Sequence, residues 1–144
     1  MIVNLYTDGA CKGNPGPGGW GVVIIKNGMP VDEIYGGELN TTNNRMELLA
    51  VIHGLTYIEE GDAVRVNTDS MYVKNGITSW INKWVENGWK TAAKKDVANK
   101  DLWVKLQTIV EVRRVTWNWV RGHSGDAGNE RADFLANKGV SDYC

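Results

Sequence analysis

The run Asn43-Asn44-Arg45-Met46-Glu47-Leu48-Leu49-Ala50-Val51-Ile52-His53-Gly54-Leu55-Thr56-Tyr57-Ile58-Glu59-Glu60-Gly61-Asp62-Ala63-Val64-Arg65-Val66-Asn67-Thr68-Asp69-Ser70 changes its hydrophobic period part-way along. Leu48, Ile52, Leu55 and Ile58 recur at helical spacing, which predicts a helix from about Asn43 to Glu59, with Asn44 three residues before Glu47 in capping-box fashion. Gly61-Asp62 closes it. Val64, Val66 and Thr68 then alternate, predicting a strand from Ala63 to Thr68 that ends at Asp69-Ser70. Upstream, Ile2 to Asp8 alternates around Val3 and Leu5 and stops at Asp8-Gly9, another strand with a carboxylate at its end. A strand, a helix and a further strand require a crossover connection, and crossovers join parallel strands. An α/β or mixed sheet is therefore expected rather than a sandwich, with the strand at 63–68 beside that at 2–8.

Working outward, Cys11 to Gly19 holds Gly13-Asn14-Pro15-Gly16-Pro17-Gly18-Gly19 and reads as a loop. Trp20 to Lys26 and Val31 to Tyr35 flank Asn27-Gly28, a hairpin signal, so the first three strands should form an antiparallel meander. Residues 71–100 carry six lysines against Glu86 and Asp96, interleaved with Tyr72, Trp80, Trp84 and Trp89, and make a local basic patch. Weak helices broken near Gly76 and Gly88 fit this stretch, with Lys90 to Asp96 as a loop. A helix over Asp101 to Val110, a strand over Arg113 to Val120, a Gly-flanked loop at Gly122-His123-Ser124-Gly125 and a closing helix over Asp126 to Lys138 complete the chain.

A length of 144 residues suits one domain, 1–144, burying roughly 68–70% of the unfolded chain's surface without disulfide or metal staples. No apolar run approaches the roughly 18 residues of a membrane span, and Met1-Ile2-Val3-Asn4-Leu5 shows no basic and apolar leader pattern. A cytoplasmic protein with no membrane partner is expected. Cys11 and Cys144 are too few for a disulfide framework and read as free thiols. A net charge of -1 excludes a globally basic nucleic-acid binder, so any such surface must be local.

The signatures Thr7-Asp8-Gly9 and Thr68-Asp69-Ser70 end two strands that should be parallel neighbours, so both carboxylates would leave the same sheet edge, where ligand sites of open α/β sheets gather. A strand-end Asp also serves as an ordinary turn former, and Glu47 as a helix cap. Glu130 and Asp133, three apart on the closing helix, share a face that also suits plain solvation. Together Asp8, Glu47, Asp69 and Asp133 could make an oxygen-only cluster for hard divalent cations, Mg²⁺ above all. Pairs of such ions activate water and stabilise the leaving oxygen in phosphodiester cleavage. His123 is either a surface residue or a group that manages a proton near the leaving oxygen.

Five ordered motifs, Asp8-Gly9-Ala10-Cys11-Lys12-Gly13-Asn14-Pro15-Gly16, Thr42-Asn43-Asn44-Arg45-Met46-Glu47-Leu48, Thr68-Asp69-Ser70, Val120-Arg121-Gly122-His123-Ser124-Gly125 and Asn129-Glu130-Arg131-Ala132-Asp133, resemble type 1 ribonuclease H, in particular its bacterial form. The resemblance implies a five-stranded mixed sheet with helices on both faces. It also implies a metal-dependent endonuclease that cuts the RNA strand of RNA/DNA hybrids, leaving 3′-hydroxyl and 5′-phosphate ends. Carried over by motif, Asp8, Glu47, Asp69 and Asp133 match the metal-binding carboxylates, which would take two Mg²⁺ ions with substrate and admit Mn²⁺ as an alternative. His123 matches the loop histidine. Cys11, Asn14, Asn43, Asn44 and Met71 fall where the family touches RNA, Thr42 and Asn99 match its pocket for a DNA phosphate, and Tyr72, Trp80 and Trp84 match its channel for the DNA strand. The implied partner is an RNA/DNA hybrid and the implied state a monomer. Small polar groups suit recognition of the ribose 2′-OH across a wide minor groove. Two departures are Glu86, where bacterial relatives are often strongly basic, and the expected lack of a tail after the closing helix. The rival readings are a hybrid-binding module without catalysis and a DNA-cutting nuclease of the same superfold.

Overall fold

A computed structural model describes residues 2–59, 61–120 and 127–143. In chain order the elements are β1 (Ile2–Cys11), β2 (Gly16–Lys26), β3 (Met29–Thr41), α1 (Asn43–Tyr57), β4 (Ala63–Thr68) and α2 (Met71–Asn75). A π-helical turn (Gly76–Trp80), α3 (Ile81–Glu86), α4 (Lys100–Glu111), β5 (Arg114–Trp119) and α5 (Ala127–Tyr143) follow. The five strands form one mixed sheet in the order β3-β2-β1-β4-β5. As the sequence predicts, β1, β2 and β3 are an antiparallel meander, and β4 runs parallel to β1, with β5 parallel to β4 beyond it.

Alternation sorts the side chains between two cores. Val3, Leu5, Val22, Ile24, Val64 and Val66 meet Met46, Leu48, Ile52 and Leu55 of α1 and Leu102, Trp103 and Leu106 of α4. On the opposite face Val23 packs with Ala132 and Leu135 of α5. Strand β2, with a neighbour on each side, is thus also covered on both faces. The helix α5 lies so close to it that a Cβ on Gly21 would stand 2.6 Å from Leu135 Cβ and 2.7 Å from the Ala132 carbonyl oxygen. Close approach at such positions explains part of the glycine content, 17 of 144 residues. No helix among the described residues is long and apolar enough to cross a membrane.

Several boundaries differ from the sequence reading. The loop expected over Cys11 to Gly19 shrinks to residues 12–15, because Cys11 pairs with Gly18 and Ala10 with Gly19. Gly16, Gly18 and Gly19 are strand residues, and Gly19 lies directly under the backbone of α5. Strand β3 runs well past Val31 to Tyr35; with a neighbour on one side only, an edge strand does not require an unbroken apolar alternation. The Asn44–Glu47 capping box is absent: Thr42 caps α1, its Oγ1 accepting from Arg45 N at 3.2 Å, while Asn44 lies within the first turn and Glu47 turns inward. Gly76 does not break the helical segment. It opens the π-helical turn, and glycine stands there because the Trp103 ring occupies the space a Cβ would need. Gly88, at φ +65, does end α3's turn. The closing helix continues through Gly139, a close contact to the Gly36 backbone, as far as Tyr143.

Because the atoms around Gly21 are largely helix backbone, they cannot yield by a rotamer change. Gly21→Ala should lower stability by about 1–3 kcal/mol, the usual cost of overpacking, and thermal melting should show a loss of several degrees. An unchanged melting temperature would mean that α5 can ride up off the sheet without penalty.

Candidate active site

The register that pairs Tyr6 with Asn67, carried two residues further, brings Asp8 and Asp69 side by side at the carboxyl edge of β1 and β4. Glu47 reaches them from α1. What permits this is Gly9, where a Cβ would lie 2.6 Å from Glu47 N and 2.8 Å from Met46 C, so that α1 rests directly on the end of β1. Oxygens of the three carboxylates lie within 4.8 Å of one another. The turn carrying Asp69 is pinned on both sides: Ser70 N donates to Thr68 Oγ1 at 3.1 Å, and Ser70 Oγ accepts from Val73 N at 3.2 Å as the cap of α2. Asp133, from α5, lines the same cleft of about 400 Å³, together with Asn43, Asn44, Ser70, Met71 and Tyr72.

The other sequence-selected residues fall into two groups beside this cleft. Asn14 Oδ1 accepts from Asn43 N at 3.2 Å, tying the β1–β2 turn to the start of α1, and the Cys11 thiol, which forms no disulfide, lies 2.8 Å from the Gly13 carbonyl oxygen and 3.4 Å from that of Thr41, next to the cap residue Thr42. On the far side Asn99, in the left-handed region at φ 57, donates from Nδ2 to Tyr72 Oη at 3.2 Å. Tyr72, Trp80 and Trp84 follow in an aromatic chain with ring centroids 5.9 and 5.7 Å apart. Tyr72 and Trp84 are half-buried against the main core, so the same rings are both core and surface. Trp117 and Trp119 stack on each other and also pack on that core. Asp96 takes two lysines of the basic segment, Lys90 and Lys100, as ion-pair partners. His123 lies outside the described residues. Sequence reading names Ser70 within the Thr68-Asp69-Ser70 signature but misses its capping of α2, and it misses Trp103, which nothing in the α4 pattern singles out.

The pattern defining the RNase H family matches residues 1–141. The chain belongs to the ribonuclease H family. It is 57% identical over 141 residues to the ribonuclease H of Neisseria meningitidis serogroup C, covering 98% of this chain and 97% of that one. Among solved structures, LC9-RNase H1, described as a type 1 RNase H with the type 2 active-site motif, superposes with a TM-score of 0.84 at 37% identity, covering 99% of this chain and 74% of that one. LC11-RNase H1, solved in complex with an RNA/DNA hybrid, gives a TM-score of 0.71 at 26% identity, with 96% of each chain covered. The chain is accordingly a ribonuclease H enzyme, a nuclease of the hydrolase class.

In this family member the cleft concentrates negative charge, for its described lining includes no Lys, Arg or His. Burial is the main force pushing the Asp8 carboxyl up to about 8, with the neighbouring Asp133 carboxyl and the Asp69 charge acting the same way. Glu47 is driven well above the ordinary carboxylate range, again chiefly by burial and then by the charges of Asp8 and Asp69. Its Oε2 is buried without a hydrogen-bond partner. An orphaned buried carboxylate oxygen facing two further carboxylates is a donor set made for a hard cation, and the residues present fit one.

The sign of the stability effect follows from proton uptake. Folded Asp8 keeps its proton to about pH 8 while the unfolded residue loses it near 3.8, so the contribution is full in acid and vanishes as pH rises between those values. In chelator, Asp8→Asn should melt higher than the parent at neutral pH by roughly 1 kcal/mol or more, a gap of several degrees, and the gap should close in acid. Excess Mg²⁺ should narrow it as well, by stabilising the parent site. Melting curves across pH, with and without metal, check all three; an Asn variant that melts lower in chelator contradicts the convergence of these charges.

Proposed function

We propose that residues 1–144 form one ribonuclease H domain that cuts the RNA strand of RNA/DNA hybrids, using Asp8, Glu47, Asp69 and Asp133 to hold two Mg²⁺ ions and leaving 3′-hydroxyl and 5′-phosphate ends. The observation that carries the reading is the meeting of three carboxylates within 4.8 Å at a sheet edge whose cleft also exposes Asn43 and Asn44. The relative solved with an RNA/DNA hybrid supports the substrate class. Divalent cations, when bound, supply an activated water and charge stabilisation for the leaving oxygen. The chain's own part is to present acidic oxygens in a fixed array, to hold the scissile phosphate against it and to keep the strands in register.

On this reading Cys11, Asn14, Asn43, Asn44 and Met71 contact the RNA strand. The paired amides offer donors and acceptors to a 2′-OH, the group by which RNA differs from DNA. Tyr72, Trp80 and Trp84 give the DNA strand an aromatic wall against which a sugar lacking that hydroxyl can pack, while Thr42 and Asn99 receive a DNA phosphate. His123 moves a proton near the leaving oxygen or assists product release. Mn²⁺ serves as an alternative ion, and the protein acts as a cytoplasmic monomer.

A labelled RNA/DNA hybrid, set beside duplex DNA, duplex RNA and each single strand with and without Mg²⁺, tests this directly: cutting confined to the RNA of the hybrid and dependent on metal is expected. Cutting of duplex DNA would move the chain to another activity. Asp69→Asn should remove nearly all cleavage at saturating metal while hybrid binding survives. His123→Ala should slow turnover by about 10²–10⁴-fold or less without ending it, the range for a positioned proton-transfer group.

A further inference from the structure

Tyr72 stands at the border between the acidic cleft and the aromatic chain, and its hydroxyl is held from behind. Trp103 Nε1 donates to Tyr72 Oη at 2.9 Å, and Asn99 Nδ2 donates to the same oxygen at 3.2 Å. A phenol has two acceptor sites and one proton, and an indole N–H can only donate. With both acceptor sites taken, the hydroxyl has a single capability left. It can donate.

The residue that enforces this is itself immobile. Trp103 is fully buried, and its ring fills the space that a side chain at position 76 would need. The same ring packs against two members of the aromatic wall, with centroids 5.4 Å from Tyr72 and 5.2 Å from Trp84. Gly76 opens the π-helical turn between α2 and α3, so the turn that offsets Tyr72 from Trp80 and Trp84 is shaped around this one indole.

The geometry points to Trp103 as a positioning residue that, through its indole N–H, fixes the Tyr72 hydroxyl as a hydrogen-bond donor toward a phosphodiester oxygen of the bound DNA strand. The inference rests on the proposed hybrid substrate and deepens it. A phosphate oxygen is an acceptor only, so a donor-only hydroxyl matches it. Trp103 itself never meets substrate.

The experiment is a double-mutant cycle on the full chain. Trp103→Phe keeps an aromatic ring and removes the N–H; Tyr72→Phe keeps the ring and removes the hydroxyl. Hybrid affinity is read by fluorescence anisotropy in chelator, and KM and kcat are read with Mg²⁺. Each single variant should weaken hybrid binding by about three- to tenfold, the effect of one hydrogen bond, with KM changing more than kcat in Trp103→Phe. In the Tyr72→Phe background, Trp103→Phe should add nothing further, since there is no hydroxyl left to orient. Additive losses, or unchanged affinity in Tyr72→Phe, overturn the inference while leaving the function in place. A folded Trp103→Phe with parental KM does the same, and should that variant fail to fold, Tyr72→Phe still decides. A parent that leaves hybrid intact in Mg²⁺ overturns the functional reading and this inference with it.

Discussion

The arrangement of the site depends on one missing side chain. At Gly9 the backbone of β1 meets the backbone of α1 with no Cβ between them, and the approach brings Glu47 to Asp8. A methyl group there would collide with Glu47 N and Met46 C, which are main-chain atoms and cannot turn aside. Similar contacts at Gly21 and Gly139 seat α5 on the other face and carry Asp133 to the same edge. Each of the elements that deliver a carboxylate is therefore positioned by backbone contact and not by side-chain packing alone. Backbone contacts leave little slack, and an array of acidic oxygens requires that rigidity to be useful to a cation.

The stability of the molecule is arranged around this demand. The two fully apolar layers, built on Val3, Leu5, Val22 and Ile24 with α1 and α4 and on Val23 with α5, lie on either side of the sheet and end where the carboxylates begin. Asp8 and Glu47 are as buried as many core residues, yet their charged forms carry a cost instead of cohesion, desolvation above all, with repulsion among the carboxylates added. Hydrophobic burial elsewhere must offset that, and the upward shift of both carboxyls favours their neutral forms in the metal-free fold. Ion pairs play little part in the balance: Arg131 with Glu33 and Arg45 with Glu38 sit at partly exposed positions, where such pairs contribute little.

What could be read from the sequence follows the same division. The period change between Ile58 and Val64 is sufficient to imply a crossover, hence the parallel pairing of β1 with β4 and the meeting of Asp8 with Asp69. Strand β4 agrees residue for residue, because it lies between two strands and Val64, Val66 and Thr68 all face inward. The readings that fail concern places where glycine or tertiary contact overrides local pattern. Gly16, Gly18 and Gly19 look like a loop by composition but are strand residues, since what selects glycine there is tertiary contact: the backbone of Lys12 at Gly16, the Thr41 and Met46 side chains at Gly18 and the backbone of α5 at Gly19. Gly76 looks like a helix breaker but is required by the Trp103 ring. Glu47 looks like a capping partner because its partner role and its buried position use the same spacing, and only the three-dimensional course of β1 distinguishes them.

The aromatic segment shows why a single residue type can resist assignment from sequence. A tryptophan in residues 71–100 can be core or contact surface, and here the alternatives do not exclude each other. Tyr72 and Trp84 turn one side to the main core and leave the other partly open. A ring anchored in this way loses little conformational freedom when a sugar packs on its outer side, because the ordering cost was met on folding. Lysines alone could attract a nucleic acid by charge, but a flexible ammonium fixes no register. On the proposed reading, the aromatic wall on α2 and α3, backed by the buried Trp103 and reaching the cleft at Tyr72, is the part of this segment that holds a strand at a fixed distance from the carboxylates.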